Sequence, residues 1–68
     1  MQLSTRNQLK GKITDMKKGP VSTEVTVDIG GNTLVVSSIT TGSADSMGLK
    51  IGDDVSALIK ASSVMIAK

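Results

Sequence analysis

The sequence predicts an all-β fold, a small five-stranded antiparallel barrel with one short helix between the third and fourth strands. Three observations predict it. Apolar and polar residues alternate over 7–17, 21–29 and 55–59, the period-2 pattern of half-buried strands. Lys18-Gly19-Pro20, Gly30-Gly31-Asn32 and Gly52-Asp53-Asp54 punctuate those runs with turn residues. Only one short segment, between Gly42 and Gly48, is bounded like a helix.

The first strand carries Leu9, Gly11 and Ile13 on one parity and Lys10, Lys12 and Thr14 on the other, so its outer face is basic. Gly11 in mid-strand marks a bulge or a place where the strand bends around a small barrel. Pro20 lacks a ladder donor and stands only at the beginning of the second strand. There Val21, Thr23, Val25, Val27 and Ile29 face one way, and Ser22, Glu24, Thr26 and Asp28 the other. Gly30-Gly31-Asn32 makes a tight hairpin, because these residues tolerate positive φ, and Thr33 to Thr40 returns as the third strand. Leu34, Val35, Val36 and Ile39 put apolar groups on both parities, so both faces need a cover, and a subunit contact would supply one.

Ser43 is the expected N-cap of the short helix and Gly48 its C-terminal stop, with Leu49 and Ile51 folding back onto the core. Val55, Ala57 and Ile59 form the fourth strand, and Val64-Met65-Ile66-Ala67 the fifth. Three strands, a helix and two strands is the order of a Greek-key barrel of the OB type. No linker or repeat is visible, so residues 1–68 read as a single domain.

A chain of 68 residues buries a small share of its surface, and this one has no Phe, Tyr, Trp or Cys. Val, Ile, Leu, Met and Ala must supply the core, and neither a disulfide nor a Cys/His zinc site can staple it. Oligomerisation is the remaining route to stability, so a homo-oligomer is expected. No signal peptide or membrane-length apolar run is evident, and the expected location is cytoplasmic.

Net charge is only +2, yet Arg6, Lys10, Lys12 and Lys17 share the first 17 residues with a single acid, Asp15. Catalysis is disfavoured: there is no His or Cys to act as base or nucleophile, and the acids fall in turns, at the helix start or on outward strand positions. The carboxylates are too scattered for a hard-metal site. A nucleic-acid-binding OB module is the alternative reading, since the lysines could attract phosphates, but base-stacking aromatic residues are missing.

A small oxyanion fits better. A tetrahedral dianion offers only acceptors and is best met by a guanidinium, an ammonium, hydroxyls and backbone N–H groups without carboxylates. Three stretches have that character: Ser4 with Arg6, Thr40-Thr41-Gly42-Ser43, and Lys60-Ala61-Ser62-Ser63. Singly, Ser43 also fits a plain N-cap, Ser62-Ser63 a turn and Arg6 a solvated charge.

The run Ser4-Thr5-Arg6-Asn7-Gln8-Leu9-Lys10-Gly11, the segment Ile39-Thr40-Thr41-Gly42-Ser43 and the ending Ile59-Lys60-Ala61-Ser62-Ser63-Val64-Met65 resemble molbindins, the Mop-type molybdate-binding proteins. The resemblance covers the whole chain. It implies an OB-like barrel assembled as a hexamer, a trimer of dimers, holding molybdate or tungstate between subunits with no reaction attached. By position it implies that Ser4, Arg6, Lys60 and Ala61 meet the anion from one subunit while Thr40 and Ser43 approach from a neighbour. Ala61 can offer only its N–H, and the Ser62 hydroxyl is a further candidate. Pro20 departs from the family's usual residue in a turn, away from those ligands. The expectation is a non-enzymatic, cytoplasmic molybdate store without nucleic-acid or membrane partners. A chain lacking a helix-turn-helix or ATPase segment favours storage over regulation.

Overall fold

The computed structural model describes residues 5–68. It contains strands β1 (Asn7–Lys18), β2 (Ser22–Gly30), β3 (Thr33–Thr40) and β4 (Asp54–Ile59), with helix α1 (Thr41–Met47) between β3 and β4. A single 3₁₀ turn, Ala61–Ser63, follows β4. The strands form one antiparallel sheet in the order β3-β2-β1-β4.

Strand β1 serves two partners along its length. Its first half, Asn7 to Lys12, pairs with β4, and its second half, Lys12 to Lys18, pairs with β2. Along the β2 pairing the register shifts between Ile13 and Asp15, leaving Thr14 as an extra residue. Such a bulge sharpens the twist and bends the strand. Of the two roles open to Gly11, the structure selects the bend, with the bulge three residues later. A Cβ at Gly11 would collide with the Asp28 carbonyl oxygen and lie 2.7 Å from Val27 Cγ1. Only a residue without a side chain lets the sheet fold over itself there.

The curl gathers the apolar parity of each strand. Ile13, Val25 and Val27 are buried, with Met16, Ile29, Ile39, Leu49 and Val55 packed partly against them. Ala44 is the residue that α1 buries. The second strand therefore faces as its alternation predicts, except that Val21 lies outside it in a bend and is 78% exposed. Ile51 is likewise exposed, because it sits in a turn with no sheet face to join. Leu49 does fold back, as expected.

Two further expectations are corrected. The N-cap of α1 is Thr40, three residues before Ser43. Thr40 ends a strand and already has the extended backbone a cap needs, φ −68° and ψ 144°, so its hydroxyl accepts the Ser43 N–H at 3.0 Å. Ser43 is thus the capped residue. Gly48 stops the helix in the left-handed conformation, φ 62°, as expected.

The second correction concerns the fifth strand. Among the described residues the sheet has four strands, and residues 64–67 belong to none of them. Met65 and Ile66 are 92% and 90% exposed. The 3₁₀ turn, closed by Ser63 N–H to the Lys60 carbonyl at 2.8 Å, takes the chain off the β4 ladder, and four residues alone gain too little to order a strand without an edge beside them. The OB-like sheet stays open between β3 and β4. The inner faces of those strands line an apolar groove of about 460 Å³, including Val35, Ile39, Val55, Ala57 and Ile59. On the outer face of β3, Leu34 and Val36 are uncovered within one chain.

Candidate functional site

Arg6 directly precedes β1 and Lys60 directly follows β4. Asn7 is opposite Ile59 in the ladder, and its side-chain amide donates to the Ile59 carbonyl at 3.0 Å. The ladder ends at that pair, and Arg6 and Lys60 are the residues just beyond it on the two segments, both exposed. Neither cation is in an ion pair among the described residues. The ion pairs found use other lysines: Lys12 with Asp54 at 3.4 Å and Lys18 with Asp45 at 2.9 Å. Both cations therefore flank the end of the β1–β4 ladder with no carboxylate in an ion pair with either among the described residues.

Lys60 also opens the 3₁₀ turn with an extended backbone, φ −60° and ψ 136°. Within that turn Ser63 N–H bonds to Lys60 and Val64 N–H to Ala61. The N–H groups of Ala61 and Ser62 come too early to find an acceptor inside it. Arg6, Lys60, two backbone donors and the Ser62 hydroxyl thus belong to exposed residues at the same end of β1.

The second cluster forms where β3 runs into α1. The Thr40 hydroxyl accepts the Ser43 N–H and donates its own proton to Ser43 Oγ at 2.8 Å. Ser43 keeps its hydroxyl proton for another acceptor, and Gly42 N–H, second in the helix, has no intrahelical partner. Thr41 anchors this corner. Its N–H bonds to the Val21 carbonyl at 2.9 Å, and its hydroxyl donates to the Gly19 carbonyl at 2.7 Å.

The two clusters lie at opposite ends of β1. Thr40 pairs with Ser22 at the start of β2, whose neighbour Thr23 is opposite Lys18, whereas Lys60 sits past Asn7. Twelve residues of strand separate those ends, which is roughly 35–40 Å of backbone at about 3.3 Å per residue. One chain places Arg6, Lys60, Ala61 and Ser62 just beyond one end of β1 and bonds Thr40 to Ser43 near the other, without joining the two groups. Ser4 lies outside the described residues. In the sequence Asn7 is legible only as one more amide donor; its positioning of the Arg6 end depends on the β1–β4 register, which no local pattern encodes. Thr41 is legible there only as part of a polar run.

Chemically, each cluster offers donors and no anionic acceptor, half of what a tetrahedral oxyanion needs. Residues 3–66 match the TOBE domain family. Over 66 residues the chain is 46% identical to molybdenum-pterin-binding protein 3 of Clostridium pasteurianum, covering 97% of both chains. The chain belongs to the TOBE domain family, as a molbindin. The molbindin fold carries the likeness as strongly as the sequence does. The structure superposes on a molybdate-binding protein from Sporomusa ovata with a TM-score of 0.95 at 35% identity, covering all of both chains. It matches MopII of C. pasteurianum with a TM-score of 0.92 at 40% identity, over 98% of this chain and all of that one. A third match is the cytoplasmic molybdate-binding protein ModG in a form with molybdate bound, with a TM-score of 0.91 at 40% identity, over 96% of this chain and 46% of ModG.

Proposed function

We propose that this molbindin binds molybdate, and tungstate with it, as an intracellular molybdenum store, at sites completed between copies of the chain. The observation that carries the reading is that Arg6 and Lys60, neither in an ion pair among the described residues, both flank the open end of the β1–β4 ladder, where the N–H groups of Ala61 and Ser62 also lie. A dianion placed there meets a guanidinium fork, an ammonium and two backbone donors. Thr40 and Ser43 supply the remaining hydroxyls from a neighbouring copy, because their own chain holds them too far away. Ser4, next but one to Arg6, is part of the same set. The family's molybdate-binding members support the choice of anion.

The protein acts by binding and carries out no reaction, in a cytoplasmic setting where free molybdate is taken up and returned. A hexamer built as a trimer of dimers is the assembly that this reading favours, and exposed Leu34, Val36, Met65 and Ile66 are apolar surface such an assembly would cover. A ligand shared by several chains stabilises the assembled state by mass action.

Titration calorimetry with molybdate, tungstate, sulfate and a single-stranded oligonucleotide tests the reading. Saturable heat is expected from the first two, with apparent affinity rising with protein concentration. Heat from the oligonucleotide alone would replace this reading with nucleic-acid binding.

A further inference from the structure

The Thr40–Ser43 corner offers donors to an anion, yet two carboxylates flank it. Asp45 lies two residues past Ser43 in α1, which puts their Cα atoms about 5.5 Å apart. The two side chains leave different sides of the helix, so the carboxylate stands roughly 10 Å from the Ser43 hydroxyl. Glu24 is directly opposite Ser38 in the β2–β3 ladder, and Thr40, two residues on, is exposed on the same face. Such a diagonal neighbour is about 7–8 Å away between Cα atoms. A dianion held at this corner would be repelled by both acids.

The end of β1 supplies a cation to each of them. Lys18 Nζ is 2.9 Å from Asp45 Oδ1. Lys17 is directly opposite Glu24 in the β1–β2 ladder, and both are exposed. Consecutive strand residues point to opposite faces, so one dipeptide serves both acids. Lys17 shares the outer face with Glu24, whereas Lys18 is opposite buried Thr23, whose hydroxyl meets Thr41 of α1. The side chains of Lys18 and Asp45 are 61% and 59% exposed, so their pair adds little to stability. Its effect on a nearby charge is larger.

We propose that Lys17 and Lys18 are charge-balancing residues of the anion site, which touch no ligand but neutralise Glu24 and Asp45 beside the Thr40–Ser43 donors. The inference rests on the anion reading above. Two lysines and two carboxylates cancel, which leaves Arg6 and Lys60 as two positive charges for the two negative charges of molybdate. Sequence alone pairs neither lysine with its acid, because one pairing depends on strand register and the other on where α1 packs.

Equilibrium dialysis with molybdate at two salt concentrations tests the assignment. Lys18→Met keeps an apolar stem and exposes the Asp45 charge. At about 10 mM ionic strength a unit charge roughly 10 Å from a dianion is expected to weaken binding about threefold. In about 0.5 M salt the difference should vanish. Lys18→Met/Asp45→Asn is expected to regain the parent affinity, and Asp45→Asn alone to exceed it about threefold at low salt. Lys17→Met and Lys17→Met/Glu24→Gln should behave as the corresponding pair on the sheet face. All these variants should keep the parent's urea midpoint.

A loss in Lys18→Met that Asp45→Asn does not repair, or that persists in high salt, would make Lys18 a direct ligand or a structural prop and overturn the proposal for it. Equal affinities of Asp45→Asn and the parent at low salt would overturn it as well. The same outcomes at Lys17 and Glu24 decide the other pair. Absence of any molybdate binding by the parent would remove the anion reading and this inference with it. Parent binding that is indifferent to all four substitutions would remove this inference alone.

Discussion

The hydroxyl of Thr23, wholly buried on β2, sits 2.9 Å from the hydroxyl of Thr41 at the start of α1. Thr41 gives its proton to the Gly19 carbonyl, so Thr23 donates and Thr41 accepts. This short chain of bonds ties the β1–β2 turn, the core and the helix corner together, and holds Thr40 and Ser43 where they are.

Thr41→Val leaves the Thr23 proton and the Gly19 carbonyl without their partner in a buried place. A loss of about 1–3 kcal/mol is expected in urea unfolding. Thr23→Val leaves the bond to Gly19 intact and is expected to cost less. The double variant should lose less than the sum, because once the acceptor is gone the donor is better removed.

Gly11 and Gly42 should respond oppositely to the same change. Gly11→Ala drives a methyl group into the Asp28 backbone and is expected to destabilise by about 1–3 kcal/mol, or to prevent folding. Gly42→Ala meets nothing within 4 Å in the first turn of α1 and is expected to raise stability by up to about 1 kcal/mol. Thermal midpoints of the two variants measured side by side decide the point.

Arg6 separates binding from folding. It is exposed and in no ion pair among the described residues, so Arg6→Ala should leave the urea midpoint unchanged and weaken molybdate binding more than tenfold in equilibrium dialysis. Unchanged affinity would remove Arg6 from the site. Arg6→Lys should recover only part of the affinity, since an ammonium cannot donate as a planar fork.

Thr40 and Ser43 divide differently. Thr40→Val removes the helix cap and is expected to cost about 1 kcal/mol as well as affinity. Ser43→Ala keeps the capped N–H and removes only the outward hydroxyl. Stability within about 0.5 kcal/mol of the parent and a selective loss of molybdate affinity are expected. Equal losses in both variants would mean that Ser43 contributes nothing beyond the helix start.

How much of this is legible in the sequence depends on the range of the interaction. The alternation in β2, with Thr23, Val25 and Val27 inward, follows from neighbours two residues apart, and the Gly48 stop and the Gly30-Gly31-Asn32 hairpin are local preferences. Local pattern misplaces the N-cap by three residues because Ser43 is, by residue type, the slightly better capping side chain; the strand ending at Thr40 decides for Thr40. The tail reads as a strand because its apolar run is strand-like, but pairing needs an edge, and no sequence pattern says whether that edge lies in the same chain.

The sequence by itself determined the chemistry: an all-β chain without aromatic, histidine or cysteine side chains, whose cations, hydroxyls and glycines suit an acceptor-only anion. Tertiary structure alone decided which of those donors meet. The β1–β4 register puts Arg6 and Lys60 at the same end of the ladder, and the length of β1 holds both away from Thr40 and Ser43. Composition and spacing fix what a residue can bond, whereas pairing between strands far apart in the chain fixes what lies within reach.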